Sequence, residues 1–150
     1  MKDLIINGKT ALGIEFGSTR IKGVLVDYSG NVLASGVYDW ENRLENGVWT
    51  YALEDAKKGL RSCYASLRKD VESKYGVTPS TFGAMGVSAM MHGYIALDKN
   101  DKQLAPFQTW RNTNTTQSAD KLTELFDFNI PLRWSCAHLY QRILDGEEHV

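Results

Sequence analysis

The 150-residue chain is 43% hydrophobic and 23% charged, with a net charge of −1, a balance that suggests neither a disordered nor a membrane class. Without a basic excess, nucleic acid is excluded as an electrostatic partner, and no stretch reaches the roughly 18 apolar residues of a membrane span. "MKDLIINGKT" has too short an apolar centre for a signal peptide, and Cys63 and Cys136 stand apart with no CxxC, so a soluble, cytoplasmic domain with reduced thiols is expected.

In chain order, the first 40 residues alternate like a three-stranded meander: "ALGIEF", a glycine-containing turn, "IKGVLVDY", the turn "SGN", then "VLASGVYDW". Branched and aromatic residues give these runs β-propensity, and Gly30-Asn31 marks a hairpin. "WENRLENGVWT" has two tryptophans and no clean period, and reads as a loop or arm. "ALEDAKKGLRSCYASLRKDVESKYG" predicts a helix with Ala56, Leu60, Tyr64 and Leu67 on its apolar side, closed by Gly76 and Pro79. "FGAMGVSAMM" follows as a short strand, then "GYIALDKNDKQL" as a hairpin turning at "KNDK". A polar loop, "TWRNTNTTQS", leads into an amphipathic helix over "TQSADKLTELFDF". After Pro131, "SCAHLYQRILDGEEHV" predicts a last helix, with Ala137, Leu139, Tyr140, Ile143 and Leu144 on one side.

"GIEFGSTRIK", residues 13–22, interrupts two strand-like runs with glycines, hydroxyls, a carboxylate and cations. Taken alone it reads readily as an ordinary hairpin turn. It also has the parts of an anion cradle: backbone amides at a small-residue turn bind phosphates, helped by hydroxyls and a nearby cation. Gly17 permits close approach and positive φ, Ser18 and Thr19 donate hydrogen bonds, and Lys22 or Arg20 can offset charge. Glu15 could order the water shell of a Mg²⁺ ion. The stretch is neither a Walker A loop nor a GxGxxG turn.

In its setting, "GIEFGSTRIKGVLVD" resembles the opening motif of the FGGY family of carbohydrate kinases, which usually has Asp where this chain has Glu15. "GVSAMMHGYIALDKNDKQLAPFQTW" is similar to the family's strand, Met-His-Gly turn, hairpin and Trp loop. "IPLRWSCAHLYQRIL" resembles the stretch upstream of its central region. The likeness covers about residues 11 to 145 and implies an α/β domain of the ribonuclease-H-like (actin-like ATPase) class, with a mixed sheet that opens in an antiparallel meander and helices packed on it.

The resemblance implies that Gly17, Ser18, Thr19 and Lys22 face the ATP phosphates, with Glu15 near Mg²⁺. It implies that Met91 and His92 touch a small-molecule sugar, a neutral imidazole both donating to and accepting from hydroxyls. Trp110, Arg111 and Asn112 match the sugar loop in part. No match to the family's catalytic Asp is found, so the chain is expected to be the N-terminal domain of a longer kinase, inactive alone, and partnered by its own C-terminal domain. Two alternatives stand beside this: an actin-like or chaperone-type ATPase without sugar chemistry, and a non-catalytic module using the aromatic arm 40–51. A homo-oligomer is compatible with the sequence.

Overall fold

The computed structural model describes all 150 residues. They divide into two compact units, Met1–Glu41 with Leu53–Met90, and Asn42–Ala52 with Met91–Val150. No helix is long and apolar enough to cross a membrane.

The first unit opens with a short helix that the sequence pattern did not announce, α1 (Lys2–Ile6), followed by β1 (Thr10–Phe16), β2 (Arg20–Asp27) and β3 (Val32–Asp39). These strands form the expected antiparallel meander. Their alternation sends Leu12, Ile14, Ile21 and Leu25 to the buried face. Asp27 closes the β2–β3 turn, accepting from the N–H groups of Ser29 and Asn31 and from the Asn31 amide. These bonds, the Asn31 side chain's first, hold its carboxyl below the usual carboxylate range. The chain later returns through α2 (Leu53–Tyr75) to β6 (Ala84–Ala89), which runs parallel to β1 and completes a sheet of order β3-β2-β1-β6.

Helix α2 packs on β2 and β3, but of the predicted stripe only Leu67 is fully buried. Gly59, Cys63, Leu67 and Val71 are buried, whereas Leu60 is 38% exposed. The cause is close approach. A β-carbon on Gly36 of β3 would lie 2.2 Å from the Cys63 carbonyl oxygen and 2.5 Å from the Leu67 nitrogen, and one on Gly59 would lie 2.6 Å from Ile21. The helix therefore turns Gly59 and Cys63 to the sheet in line with Leu67 and Val71, and Leu60 falls to the flank.

In the second unit, the arm read as a loop is a hairpin: β4 (Arg43–Glu45) and β5 (Val48–Thr50) turn at Asn46-Gly47, both at positive φ. Asn-Gly is a strong signal for this turn; two-residue spacing between very short strands hid it. The turn at Asp98 forms as expected, its carboxylate accepting from the amides of Asn100 and Lys102. Around it stand only isolated bridges, Tyr94 with Gln108 and Leu97 with Gln103. Helices α3 (Thr116–Phe126) and α4 (Ser135–Asp145) pack on one another. Ala119, Leu122, Ile130 and Ala137 make their core, with Trp134 and Tyr140 against it.

The buried face of α4 is more polar than its predicted stripe: Ala137, His138 and Gln141 are inside, while Leu139 and Ile143 lie largely exposed. Gln141 accepts from the Ser118 amide and donates to Asp145. His138 is fully buried with no partner for either ring nitrogen. Burial, aided by the nearby Arg142 charge, pushes it down from 6.5 to about 4.

Two predictions follow from this packing. Gly36→Ala should destabilise the chain by about 3 kcal/mol because backbone atoms block the new methyl. Gly86→Ala, with nothing within 4 Å of its β-carbon, should be nearly neutral in the same urea titration. For His138, the folded form binds its proton less readily than the unfolded form. Its contribution is therefore present above pH 6.5 and is lost as pH falls toward about 4. The urea midpoint should decline over that window, and His138→Gln should flatten the decline.

Candidate functional site

The candidate phosphate loop is the three-residue turn Gly17–Thr19 between β1 and β2. The Gly17 N–H donates to the Arg20 carbonyl at 2.9 Å, so this amide closes the turn. Gly17 does not adopt positive φ. It is needed for space, since a β-carbon there would sit 3.0 Å from the Arg20 oxygen and 3.8 Å from a Glu15 carboxylate oxygen. Cross-strand register puts Glu15 opposite Lys22, and the two pair at 3.8 Å with both side chains about half exposed. Together with Gly13, Val24, Gly86 and Ser88 they line a shallow concavity of about 500 Å³ on the open face of the sheet.

A residue of the segment read from the sequence as a loop or arm braces this turn. Trp40 follows β3 and donates from Nε1 to the Gly17 carbonyl at 2.8 Å and from its backbone N–H to the Thr19 carbonyl at 3.1 Å. Both loop carbonyls are thereby turned toward Trp40. The available signal was the pairing of β2 with β3, which carries the end of β3 alongside the turn.

Strand β6 ends beside Phe16, whose carbonyl accepts from the Met90 N–H at 3.1 Å. In the second unit, Met91 is 72% exposed and His92 is exposed. His92 has φ +69 and Gly93 φ +100. Left-handed backbone is uncommon outside glycine, although His tolerates it better than most. The corner is pinned, since Gly93 donates to the Arg133 carbonyl at 3.0 Å and its own carbonyl accepts from the Ser135 hydroxyl at 2.6 Å.

The expected sugar loop divides. Trp110 is 38% exposed. Arg111 lies over the Trp49 ring at 3.6 Å and donates to the Asn42 side-chain oxygen. Asn112 is buried: its oxygen accepts from the Trp49 N–H at 2.9 Å, and its nitrogen donates to the Trp49 and Thr109 carbonyls at 2.7 and 3.0 Å. Its carboxamide ties the β4–β5 hairpin to the loop.

A sheet of two antiparallel pairings and one parallel pairing, with a glycine-hydroxyl turn after its first strand, defines an actin-like, ribonuclease-H-like α/β fold. Solved structures share it. A xyloylose kinase from Brucella ovis matches 91% of this chain and 30% of its own at 20% identity, with a TM-score of 0.79. A glycerol kinase from Plasmodium falciparum, solved with ADP, matches 93% and 29% at 16% identity, with a TM-score of 0.75. The chain belongs to the FGGY family of carbohydrate kinases, whose N-terminal domain matches residues 10–131. It is 27% identical over 127 residues to the xylulose kinase of Lactococcus lactis, covering 75% of this chain and 22% of that protein. The xylulose kinase of Bacillus subtilis is 25% identical over 118 residues, covering 79% and 23%. The chain spans about a quarter of the length of these two relatives.

Asn112→Ala leaves the Trp49 amide without its partner and takes one of two hydrogen bonds from each of the Trp49 and Thr109 carbonyls, which should destabilise the second unit by about 2 kcal/mol. Hydrogen exchange at the Trp49 amide should accelerate by at least about tenfold, with exchange in β1 and β2 unchanged.

Proposed function

We propose that this chain is the N-terminal part of an ATP-dependent kinase that phosphorylates a hydroxyl of a ketose or related small sugar. Its own C-terminal domain supplies the adenosine site and the catalytic carboxylate, and the chain alone is inactive. Free Cys63 and Cys136 suit work in a reducing cytoplasm. The observation that supports the reading most is His92. An exposed imidazole on left-handed backbone, fixed on both sides of Gly93, is the kind of strained residue found at ligand sites.

In this reading Ser18 and Thr19 hold the terminal phosphates, with Gly17 kept small so that the backbone can approach them. Lys22 offsets their charge once it leaves Glu15. Glu15 fits a hydrated Mg²⁺, because its carboxylate is half exposed beside the turn. No cluster of three His, Cys, Asp or Glu is present to hold a stripped ion, so the remaining ligands would be water and phosphate. Bound ATP–Mg²⁺ supplies the transferred phosphoryl group and charge neutralisation. His92 donates to and accepts from sugar hydroxyls, Met91 gives the sugar an apolar contact, and Trp110 offers an exposed ring. Arg111 and Asn112 act on the sugar through the shape of the loop they fasten.

ADP release by the full-length protein, measured across D-xylulose, D-ribulose and glycerol, should be stimulated by at least one of them. His92→Ala should raise the KM for that sugar about tenfold, with the KM for ATP unchanged. Thr19→Ala should instead lower kcat. Absence of sugar-stimulated turnover across pentuloses, hexuloses and polyols overturns the proposal.

A further inference from the structure

We infer that Trp134 and Ser135, at the start of α4, are positioning residues that set the orientation of the His92 imidazole. The inference rests on the sugar-site reading of His92 and adds residues that reading does not contain.

Three contacts converge on the corner from one short segment. The rings of His92 and Trp134 lie nearly parallel, 14° apart in plane with centroids 6.1 Å apart, an offset stack within the favourable range. The Ser135 hydroxyl donates to the Gly93 carbonyl at 2.6 Å, and the Gly93 N–H donates to the Arg133 carbonyl at 3.0 Å. Arg133, Trp134 and Ser135 therefore grip both peptide groups of Gly93 and the ring before it. Trp134 is itself fixed, since it packs against the α3–α4 core and lies 6.3 Å from the Phe128 ring.

The chemistry calls for such a support. An exposed imidazole on a single residue turns freely about two side-chain torsions, and a sugar hydroxyl is recognised only when both ring nitrogens point correctly. Stacking on an immobile indole leaves the ring edge, which carries the nitrogens, as the part available to a ligand. The left-handed backbone at His92 and the excluded β-carbon at Gly93, 2.3 Å from the Gln108 oxygen, fix the backbone that carries the ring. A supporting shell that locks a contact residue governs how well it binds.

The test uses the full-length protein, with ring-labelled histidine for NMR and D-xylulose as the sugar. Without ligand, the His92 ring protons should lie upfield in the wild type and move downfield in Trp134→Leu; Trp134→Phe should restore most of the shift. In turnover assays Trp134→Leu should raise the KM for D-xylulose about tenfold and Ser135→Ala about threefold, with the KM for ATP unchanged and Trp134→Phe within about twofold of wild type. Simple loss of folded protein lowers kcat and leaves KM in place, so a KM effect separates positioning from stability. Should Trp134→Leu fail to fold, Ser135→Ala carries the test because it leaves the packing intact. Unchanged His92 ring shifts, or an unchanged sugar KM in an active protein, overturns the inference. If the wild type does not turn over D-xylulose, the substrate reading fails for that sugar, and the ring shifts alone decide the positioning role.

Discussion

At residue 93 the backbone passes so close to the Gln108 carbonyl that a β-carbon would lie 2.3 Å from the oxygen, and the corner of the second unit is arranged around that approach. Tyr94 and Gln108 can then exchange both backbone hydrogen bonds, at 2.8 and 2.9 Å. The chain accommodates the approach with two successive left-handed residues, one of which is His92. Left-handed backbone at a non-glycine costs about 1–2 kcal/mol, a strain that survives only where neighbours over-determine it. Here the neighbours are Gln108 on one side and the Arg133–Ser135 segment on the other. The imidazole is thus presented by a backbone that has no easy alternative.

Close approach also governs the first unit, and it explains which parts of the fold could be read from sequence. Strands β1 to β3 were legible because their alternation matched the pleat. Helix α2 was legible in extent but not in phase. A hydropathy stripe points to Leu60 and Tyr64, whereas the sheet accepts Gly59 and Cys63 because Gly36 brings the two backbones together. The same failure recurs at α4, where the inward face carries His138 and Gln141, and the apolar Leu139 and Ile143 face out. Periodicity weighs how greasy a residue is; these interfaces are decided by size and by hydrogen bonding to the opposing backbone.

The candidate site divides along a similar line. The hairpin turn offered the parts of an anion cradle, and the Met91–His92 pair was marked by its likeness to the family's Met-His-Gly turn. Their supports had no such signal. Trp40 reaches Gly17 across 23 residues, Asn112 reaches Trp49 across 63, and Ser135 reaches Gly93 across 42. Each bond ends on a backbone carbonyl, a group every residue has, so the sequence at the receiving end carries no mark of it. Asn112 shows the consequence: its residue type suits sugar hydroxyls, yet all the bonding capacity seen here serves the loop. Arg111 is likewise held by Trp49 and Asn42, which leaves Trp110 as the exposed member of the three.

The two candidate contact points differ in kind. The turn after β1 relies on small residues and neutral amide dipoles, braced from behind by Trp40, while its flanking charges, Glu15 and Lys22, neutralise one another. The His92 corner relies on strained backbone that aims one amphoteric ring. Neither device needs a surplus of cations, because dipoles fixed in place attract a phosphate group locally without building a field over the whole surface. A net charge of −1 argues against long polyanions and is compatible with the single small anion of the proposed function. The geometry of both places depends on residues such as Trp40, Gly93 and Ser135, whose own chemistry is unremarkable until the fold brings a carbonyl to them.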